Sequence, residues 1–463
     1  GRPSARELHI IILDNGRSHA AADPELRETL YCLRCGACLN ACAPYNMVGG
    51  HVFGGDPYPG GIGCAWAYVT QGPAAAAEFN GLCTTCARCT EVCPVRIDIP
   101  WLNTLLRERL HKEFGPGLRQ RVFARVDLMG KVFSPVGPLV NVAMRAPVAR
   151  LSFRALGIDP RRKLPPYERE TFVRWWKRRG GAKLSGHELV LNAAASPAEP
   201  ANRAALFVDC FVNHNLPSVG QAAVAVLEAA GIEVAVTQNA CCGRPAMSQG
   251  LLDAPRRWAA KNLDSLGRLI AEGYEIVCIE PSCLSALRDD YRRLLEFTPL
   301  ANDARLQALE KHSYDVTEYL ALLAESGRLR LPLGGLPADL AGSPLVVHAH
   351  CHQKALGIGS APARLLRLIP GVEVVEVEAL CCGLVGSFGY KAEYSALSRA
   401  IGAELFAQLN TQPGTIVTCG ISCRSQIEMG TGRKVFHPVE ILARALSCAE
   451  EHGALSHAQQ RES

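Results

Sequence analysis

Apolar and polar positions fall into different patterns along this chain. Residues 6–14, Arg-Glu-Leu-His-Ile-Ile-Ile-Leu-Asp, form a short apolar run that predicts a buried strand with nothing before it to pair with. From Phe114 to about His187 the pattern predicts helical fragments broken by Gly and Pro. Asn192 to Pro200, rich in Ala and Pro, is a linker by composition. Beyond it, runs of strand length alternate with helical stretches. Strands are predicted at Ala205–Val208, Ile232–Val236 and Glu275–Val277, and again at Leu345–Val347, Val372–Val377 and Thr415–Val417. Helices are predicted at Val219–Ala230 and Leu252–Ala271, and again at Pro362–Ile369 and Glu393–Leu409. The same series runs twice, which implies two tandem α/β lobes with mainly parallel sheets, related by a pseudo-twofold repeat.

Cysteines mark the repeat. Cys210, Cys241-Cys242 and Cys283 recur as Cys351, Cys381-Cys382 and Cys423, at offsets of 140 or 141 residues. They stand at the carboxyl ends of the predicted strands, where ligands gather in parallel sheets. Adjacent cysteines are seldom disulfide partners and suit a polynuclear cluster that takes thiolates at neighbouring irons. Gly243 and Gly383 are expected to let backbone approach such a cluster. The first lobe offers Cys210, Cys241, Cys242, Cys278 and Cys283 as ligands, and the second Cys351, Cys381, Cys382, Cys419 and Cys423. His348, His350, His352 and His437 are expected to hydrogen-bond around these sites or to lie exposed rather than to ligate.

Residues 25–112 hold two further runs, Cys32, Cys35, Cys38, Cys42 and Cys83, Cys86, Cys89, Cys93. Both have the C-x2-C-x2-C-x3-C spacing of two-cluster ferredoxins, in which each fourth cysteine ligates the other cluster. Cys32, Cys35, Cys38 and Cys93 therefore go to one 4Fe–4S cluster, and Cys83, Cys86, Cys89 and Cys42 to the other. Zinc fits less well, because zinc sites favour separated CxxC pairs. Two clusters in one fold carry single electrons and supply no substrate site.

Composition narrows the class. Of 463 residues, 48% are hydrophobic and 20% charged, which excludes a disordered chain. Twenty cysteines without an apolar signal region after Gly1–Ser4 argue for metal in a reducing compartment rather than for disulfides. Cys64 and Cys448, outside any pattern, read as small buried residues. No apolar run approaches the ~18 residues of a spanning helix. The net charge is +5, yet residues 118–183 carry sixteen Lys/Arg against Asp127, Asp159, Glu168 and Glu170. With Leu128, Met129, Val132, Phe133, Trp175 and Trp176 interleaved, this stretch could dock on anionic lipid or on an acidic partner. No nucleic-acid motif accompanies the charge, so a nucleic-acid partner is not expected.

Residues 6–183 resemble the iron–sulfur protein of the three-component lactate-utilisation system. The resemblance rests on Arg6-Glu7-Leu8-His9, Leu13 to Arg17, the run Cys32–Cys42, Gly49-Gly50-His51, Tyr58-Pro59-Gly60, Cys93 to Pro100, Ile158 to Arg161 and Trp175. Residues 204–448 resemble the tandem Cys-Cys-Gly region shared by heterodisulfide reductase catalytic subunits, the C subunit of anaerobic glycerol-3-phosphate dehydrogenase and the C-terminal half of FAD-linked D-lactate dehydrogenases, nearest the last. Cys241 to Pro245, Glu280 to Cys283, His350 to Leu356, Cys381-Cys382-Gly383, Gly386 to Tyr390 and Ser422 to Ile427 carry it. The reductase resemblance implies one or two further clusters of non-cubane type. The last cysteine pairs here, C-x4-C and C-x3-C, depart from the reductase CxxC.

The expected fold is thus α+β and multidomain. Residues 1–24 form a remnant strand and lead-in, 25–112 an α-helical two-cluster ferredoxin domain, and 113–203 a basic helical connector and linker. Residues 204–343 form the first Cys-Cys-Gly lobe, and 344–463 the second lobe and C-terminal tail. The resemblances imply an electron-transfer subunit of a flavin-dependent 2-hydroxyacid (lactate) dehydrogenase complex rather than a complete enzyme. Its flavin would sit in a partner dehydrogenase subunit, a lactate-utilisation domain protein would be a further partner, and a quinone or another carrier would accept the electrons. The alternative is a disulfide reductase acting at the Cys-Cys-Gly clusters. The expected location is the cytoplasm, including the inner face of the membrane.

Overall fold

Each ferredoxin run winds into the same turn. In a computed structural model, which describes residues 7–56, 58–180, 183–184 and 203–459, Arg34 and Gly36 have φ of 55° and 79°, and the matching Thr85 and Ala87 have 51° and 64°. Left-handed backbone at non-glycine positions is strained and persists where its surroundings over-determine it. One-turn helices, Ala37–Asn40 and Arg88–Glu91, follow the turns. Between the runs lie an antiparallel hairpin, β1 (Gly54–Gly55) with β2 (Tyr58–Pro59), and the helix Gly60–Gln71. The helix Ile99–Phe114 comes after, started by Pro100 and by the Asp98 carboxylate, which accepts from Trp101 N at 3.1 Å. Phe53, Ile62, Leu102 and Leu106 are fully buried among these elements, as is Cys64.

The apolar run at the start departs from expectation. Residues 7–14 form no strand, and Ile11 and Ile12 are 91% and 89% exposed. No neighbouring strand takes up their backbone groups among the described residues, so apolarity alone does not bury them. The linker Asn192–Pro200 lies outside the described residues.

Both lobes are parallel sheets flanked by helices. The first comprises β3 (Lys183–Leu184), β4 (Arg203–Leu206), β5 (Glu233–Thr237), β6 (Glu275–Cys278) and β7 (Ser313–Asp315), ordered β3-β5-β4-β6-β7. The second comprises β8 (Leu345–His348), β9 (Val374–Glu376), β10 (Thr415–Thr418) and β11 (Val435–Phe436), ordered β11-β10-β8-β9. Leaving β3 aside, the order β5-β4-β6-β7 of one lobe matches β9-β8-β10-β11 of the other. The lobes share one core, in which Leu206, Val236 and Val277 join Leu345, Val347 and Val417. The helices Pro217–Ala229 and Pro438–Gln459 pack together across it.

The basic stretch divides between the lobes instead of standing apart. Phe172 and Trp176 are buried in the shared core, and Trp175 stacks on Phe172 at 5.8 Å. The tryptophan pair is therefore core and not a docking surface, because the helix Phe172–Arg178 needs an apolar face to sit on the sheet. Ile158 enters the second lobe's core. Next to it, Arg162 donates to Gln426 Oε1 (2.6 Å), Ser398 Oγ (2.9 Å) and Ser395 O (3.1 Å). Upstream, the helix Val126–Phe133 rests on the first lobe. A Cβ on Gly130 would meet the His214 ring at 2.3 Å, and His214 Nδ1 lies 2.9 Å from Ser134 Oγ.

Candidate metal centres

Strand ends and helix starts bring the cysteines together. Asp209 and His350 occupy equivalent positions and cap the short helices that begin at Cys210 and Cys351: the Asp209 carboxylate accepts from Val212 N, and His350 Nδ1 from His352 N. Cys241-Cys242 and Cys381-Cys382 stand on the loops that leave β5 and β9, and Cys283 and Cys423 on helices that follow β6 and β10. Parallel strands deliver all these residues to one edge of each sheet. The sulfurs of Cys242 and Cys283 are 3.1 Å apart in lobe one, and those of Cys351 and Cys381 are 3.3 Å apart in lobe two. Cys241 Sγ accepts from Gly243 N, and Cys381 Sγ from Gly383 N.

One cavity joins both sets: Cys210, Cys241, Cys242 and Cys283 line it together with Cys351, Cys381, Cys382 and Cys423. Cys86 of the ferredoxin pair lines it too. Sequence spacing held no sign of that last neighbour, which depends on how the domains dock. Cys278 and Cys419 stand apart. Cys278 ends β6 in the first lobe's apolar core. Cys419 lines a separate cavity of about 310 Å³ beside Glu280, Arg424 and His437.

In the ferredoxin domain, Cys32, Cys35, Cys38 and Cys93 ring a cavity of about 340 Å³ with Tyr58, Ile62, Ile97 and Ile99. Cys38 feels the charge of Cys32, Cys35 and Cys93, whereas Cys42 and Cys89 share that of Cys83 and Cys86. The structure thus brings each fourth cysteine beside the opposite run. Burial pushes the Cys38 thiol up to about 11 and holds Cys42, Cys83 and Cys89 above the ordinary thiol value. Such thiols need a cation to become thiolates, and a coordinating metal supplies it. The positive-φ turns at Arg34–Gly36 and Thr85–Ala87 match the backbone concavities that accept iron–sulfur sulfide. The donor set fits iron–sulfur clusters.

The glycines of the Cys-Cys-Gly motifs also serve packing. With φ of 95°, Gly243 turns its missing Cβ toward Pro255, and Gly383, with φ of 89°, toward Ser398 O at 2.1 Å. They bring the loop against a helix, while their N–H groups donate to Cys241 and Cys381. The histidines are all buried, so exposure is excluded for them. His352 accepts from Arg244 Nη2 at 2.7 Å and lies 3.2 Å from Ser282 Oγ. His437 Nδ1 accepts from Val439 N. Neither ring nitrogen of His348 finds a hydrogen-bond partner among the described residues, and burial drops the imidazole to about 3.

Comparison with known proteins places these sites. A 4Fe–4S dicluster domain matches residues 28–97, and the cysteine-rich CCG domain matches residues 204–288 and 345–428. The C subunit of anaerobic glycerol-3-phosphate dehydrogenase from Escherichia coli K12 is 34% identical over 336 residues, 72% of this chain and 78% of that protein. The chain belongs to that family. Lactate utilization protein B of Bacillus cytotoxicus is 34% identical over 194 residues, 38% of this chain and 40% of its own length. An uncharacterized electron transport protein of E. coli is 43% identical over 103 residues, 22% of this chain and 21% of that protein. With its dicluster and CCG domains, this chain is an iron–sulfur electron-transfer subunit. Its dicluster domain carries two 4Fe–4S clusters, and the paired CCG domains point to further iron–sulfur clusters.

Proposed function

We propose that this protein passes electrons from a flavoprotein dehydrogenase to a quinone at the membrane face, through clusters held by the cysteines named above. Cys32, Cys35, Cys38 and Cys93 hold the first cluster, and Cys83, Cys86, Cys89 and Cys42 the second. In the lobes the ligands are Cys210, Cys241, Cys242 and Cys283, and Cys351, Cys381, Cys382 and Cys423; Cys278 and Cys419 stand outside. The observation that carries this reading is the presence of Cys86 in the cavity lined by eight of the ten lobe cysteines. It makes a continuous path from the ferredoxin domain to both lobes. Since the match to the C subunit of glycerol-3-phosphate dehydrogenase spans both halves of the chain, the favoured substrate of the whole complex is glycerol 3-phosphate. The match to lactate utilization protein B covers a shorter share and supports lactate as a second reading.

The ends of the path differ. Cys35 is exposed, with Leu33 (65%) and Tyr31 (56%) exposed around it, an apolar collar suited to the flavoprotein. The connector supports attachment to an anionic bilayer. Its helices Val126–Phe133, Gly137–Arg145 and Pro147–Ala155 expose Leu139, Val142, Val148 and Leu151 together with Lys131, Arg145, Arg150 and Arg154. Between residues 117 and 156 the only carboxylate is Asp127. Apolar side chains among unopposed cations suit the lipid interface. Among the described residues no helix is long and apolar enough to cross a membrane.

Iron analysis and stepwise reduction of anaerobic full-length protein test the reading. Iron well above the roughly eight atoms of two cubes, with more than two one-electron equivalents taken up, is expected. About eight irons would leave the lobes without clusters and overturn the path. Sedimentation with phosphatidylglycerol vesicles, abolished by salt, tests the membrane face.

A further inference from the structure

The cavity between the lobes is lined by more than its cysteines. It is far more extensive than the space ringed by Cys32, Cys35, Cys38 and Cys93. The connector supplies an apolar part of the remaining wall, Phe123, Val126, Met129, Leu164, Pro165 and Tyr167, and Thr84, Thr85, Ser422 and Ser425 line it as well. Val126 and Met129, spaced i and i+3, occupy the inner face of a helix whose outer face exposes Leu128 and Val132 at 46% and 55%. The wall of the cavity and the lipid-type surface are therefore two faces of one helix.

We propose that this space is the binding site of a quinone headgroup, which enters from the bilayer past the helix Val126–Phe133. The inference rests on the membrane-face reading above and deepens it. A flat apolar ring matches the wall, and its oxygens need donors. The Ser422 hydroxyl, which accepts from Gly386 N, lines the cavity, as does the Arg244 guanidinium, held by Asp290 at 2.8 Å. Two lobe sites facing one space suit a carrier that needs two electrons. Reduction converts both C=O groups of the ring to C–OH, with two electrons arriving singly from the iron–sulfur side and two protons from water. A disulfide would also take two electrons, yet it needs no long apolar wall continuous with an exposed apolar face.

The probe is decyl-benzoquinone, added to oxidised, cluster-loaded full-length protein and followed by calorimetry. Saturable binding is expected, with Met129→Trp and Val126→Trp each weakening it by about tenfold or more. Iron content and the rate of reoxidation by ferricyanide should stay as in the wild type, which separates failure of the quinone site from failure of the electron path. An azido derivative of the probe should label the peptides around Val126 or Tyr167 in the unmodified protein, a readout that does not depend on variants folding. Binding unchanged by both tryptophans, labelling confined to other peptides, or saturable binding of glutathione disulfide in place of the quinone would overturn the proposal.

Discussion

Gly243 and Gly383 are equivalent residues with unequal surroundings, which makes the repeat its own control. Replacing either with Ala puts a Cβ on backbone in the left-handed region, at a cost of about 1–2 kcal/mol. At Gly243 the new methyl lies 3.1 Å from Pro255 Cβ, a contact relieved by a few tenths of an ångström. At Gly383 it lies 2.1 Å from Ser398 O and 3.1 Å from Gly402 N, both backbone atoms of the helix Ser395–Thr411. Backbone cannot rotate aside, so the helix must shift, adding an overpacking cost of roughly 1–3 kcal/mol or more. Gly383→Ala should therefore cost about 2–5 kcal/mol, and Gly243→Ala about 1–2 kcal/mol. The assay is hydrogen exchange read by helix, because a multidomain chain gives no single unfolding free energy. Protection in Ser395–Thr411 should fall by at least about thirtyfold in Gly383→Ala, at about 1.4 kcal/mol per decade. Protection in Asp253–Ala271 should fall less in Gly243→Ala. Equal losses in the two helices, or loss of iron without loss of protection in Gly383→Ala, would refute the claim that these glycines serve helix packing.

The crossed ferredoxin assignment makes Cys93→Ser remove the cluster facing Cys32, Cys35 and Cys38, seen as the loss of about four irons and of its paramagnetic signal; an intact signal would undo the assignment. Arg162 donates to the acceptors of Ser395, Ser398 and Gln426, so Arg162→Met should strand buried oxygens and cost about 3 kcal/mol in the contact of residues 158–164 with lobe two, read as lost exchange protection there with iron unchanged. His214 is held near 4, below its ordinary value of 6.5, first by burial and then by Lys131 and Arg174 against the opposing Asp127. A base depressed on folding favours the fold above its unfolded value. That contribution is full above pH 6.5, fades as pH falls toward 4, and should loosen the helix Val126–Phe133 over that range. An imidazole titration near 6.5 by NMR, or the same pH response in His214→Gln, would contradict it.

Much of the fold was legible because two signals reinforce each other. Apolar strand runs alternate with helical ones, and the cysteine offset of 140 tied each strand to its copy, so β4, β5, β6, β8, β9 and β10 were all expected within a few residues. The strands β3, β7 and β11 were missed, since two or three residues carry no alternation to read. Spacing fixed the ferredoxin runs, because thiols that converge locally leave a local pattern. The tryptophans misled in the opposite way. Flanked by Lys177, Arg178 and Arg179 they read as surface, yet a short amphipathic helix can carry cations on one side and bury Trp176 on the other. Apolar Ile10 to Leu13 failed for the same underlying reason: burial is a property of the partner surface, which composition does not report.

Docking makes the duplicated lobes unequal. Their sequences repeat, and each brings four cysteines to the shared cavity. The ferredoxin domain leans on the lobes differently. Its helix Ile99–Phe114 seats on lobe one through Arg107, which donates to Ser248 O at 2.7 Å, and through Glu108, paired with Arg256 at 2.5 Å. Those contacts involve no lobe cysteine. Cys86, by contrast, packs with Cys351 and Cys381 of lobe two, beside Ala43 and Phe388. The lobe thiols packed with Cys86 thus belong to the second repeat. Lobe one meets the other side of the cavity, where Arg244 reaches back to Thr85 O at 2.9 Å and across to His352. Electron transfer falls off steeply with distance, so a carrier bound between the lobes would draw first on lobe two and fill lobe one through it. A single lobe would suffice to conduct. On the function proposed above, two lobes around one space would let a pair of electrons be held beside a two-electron acceptor, which is what duplication would add.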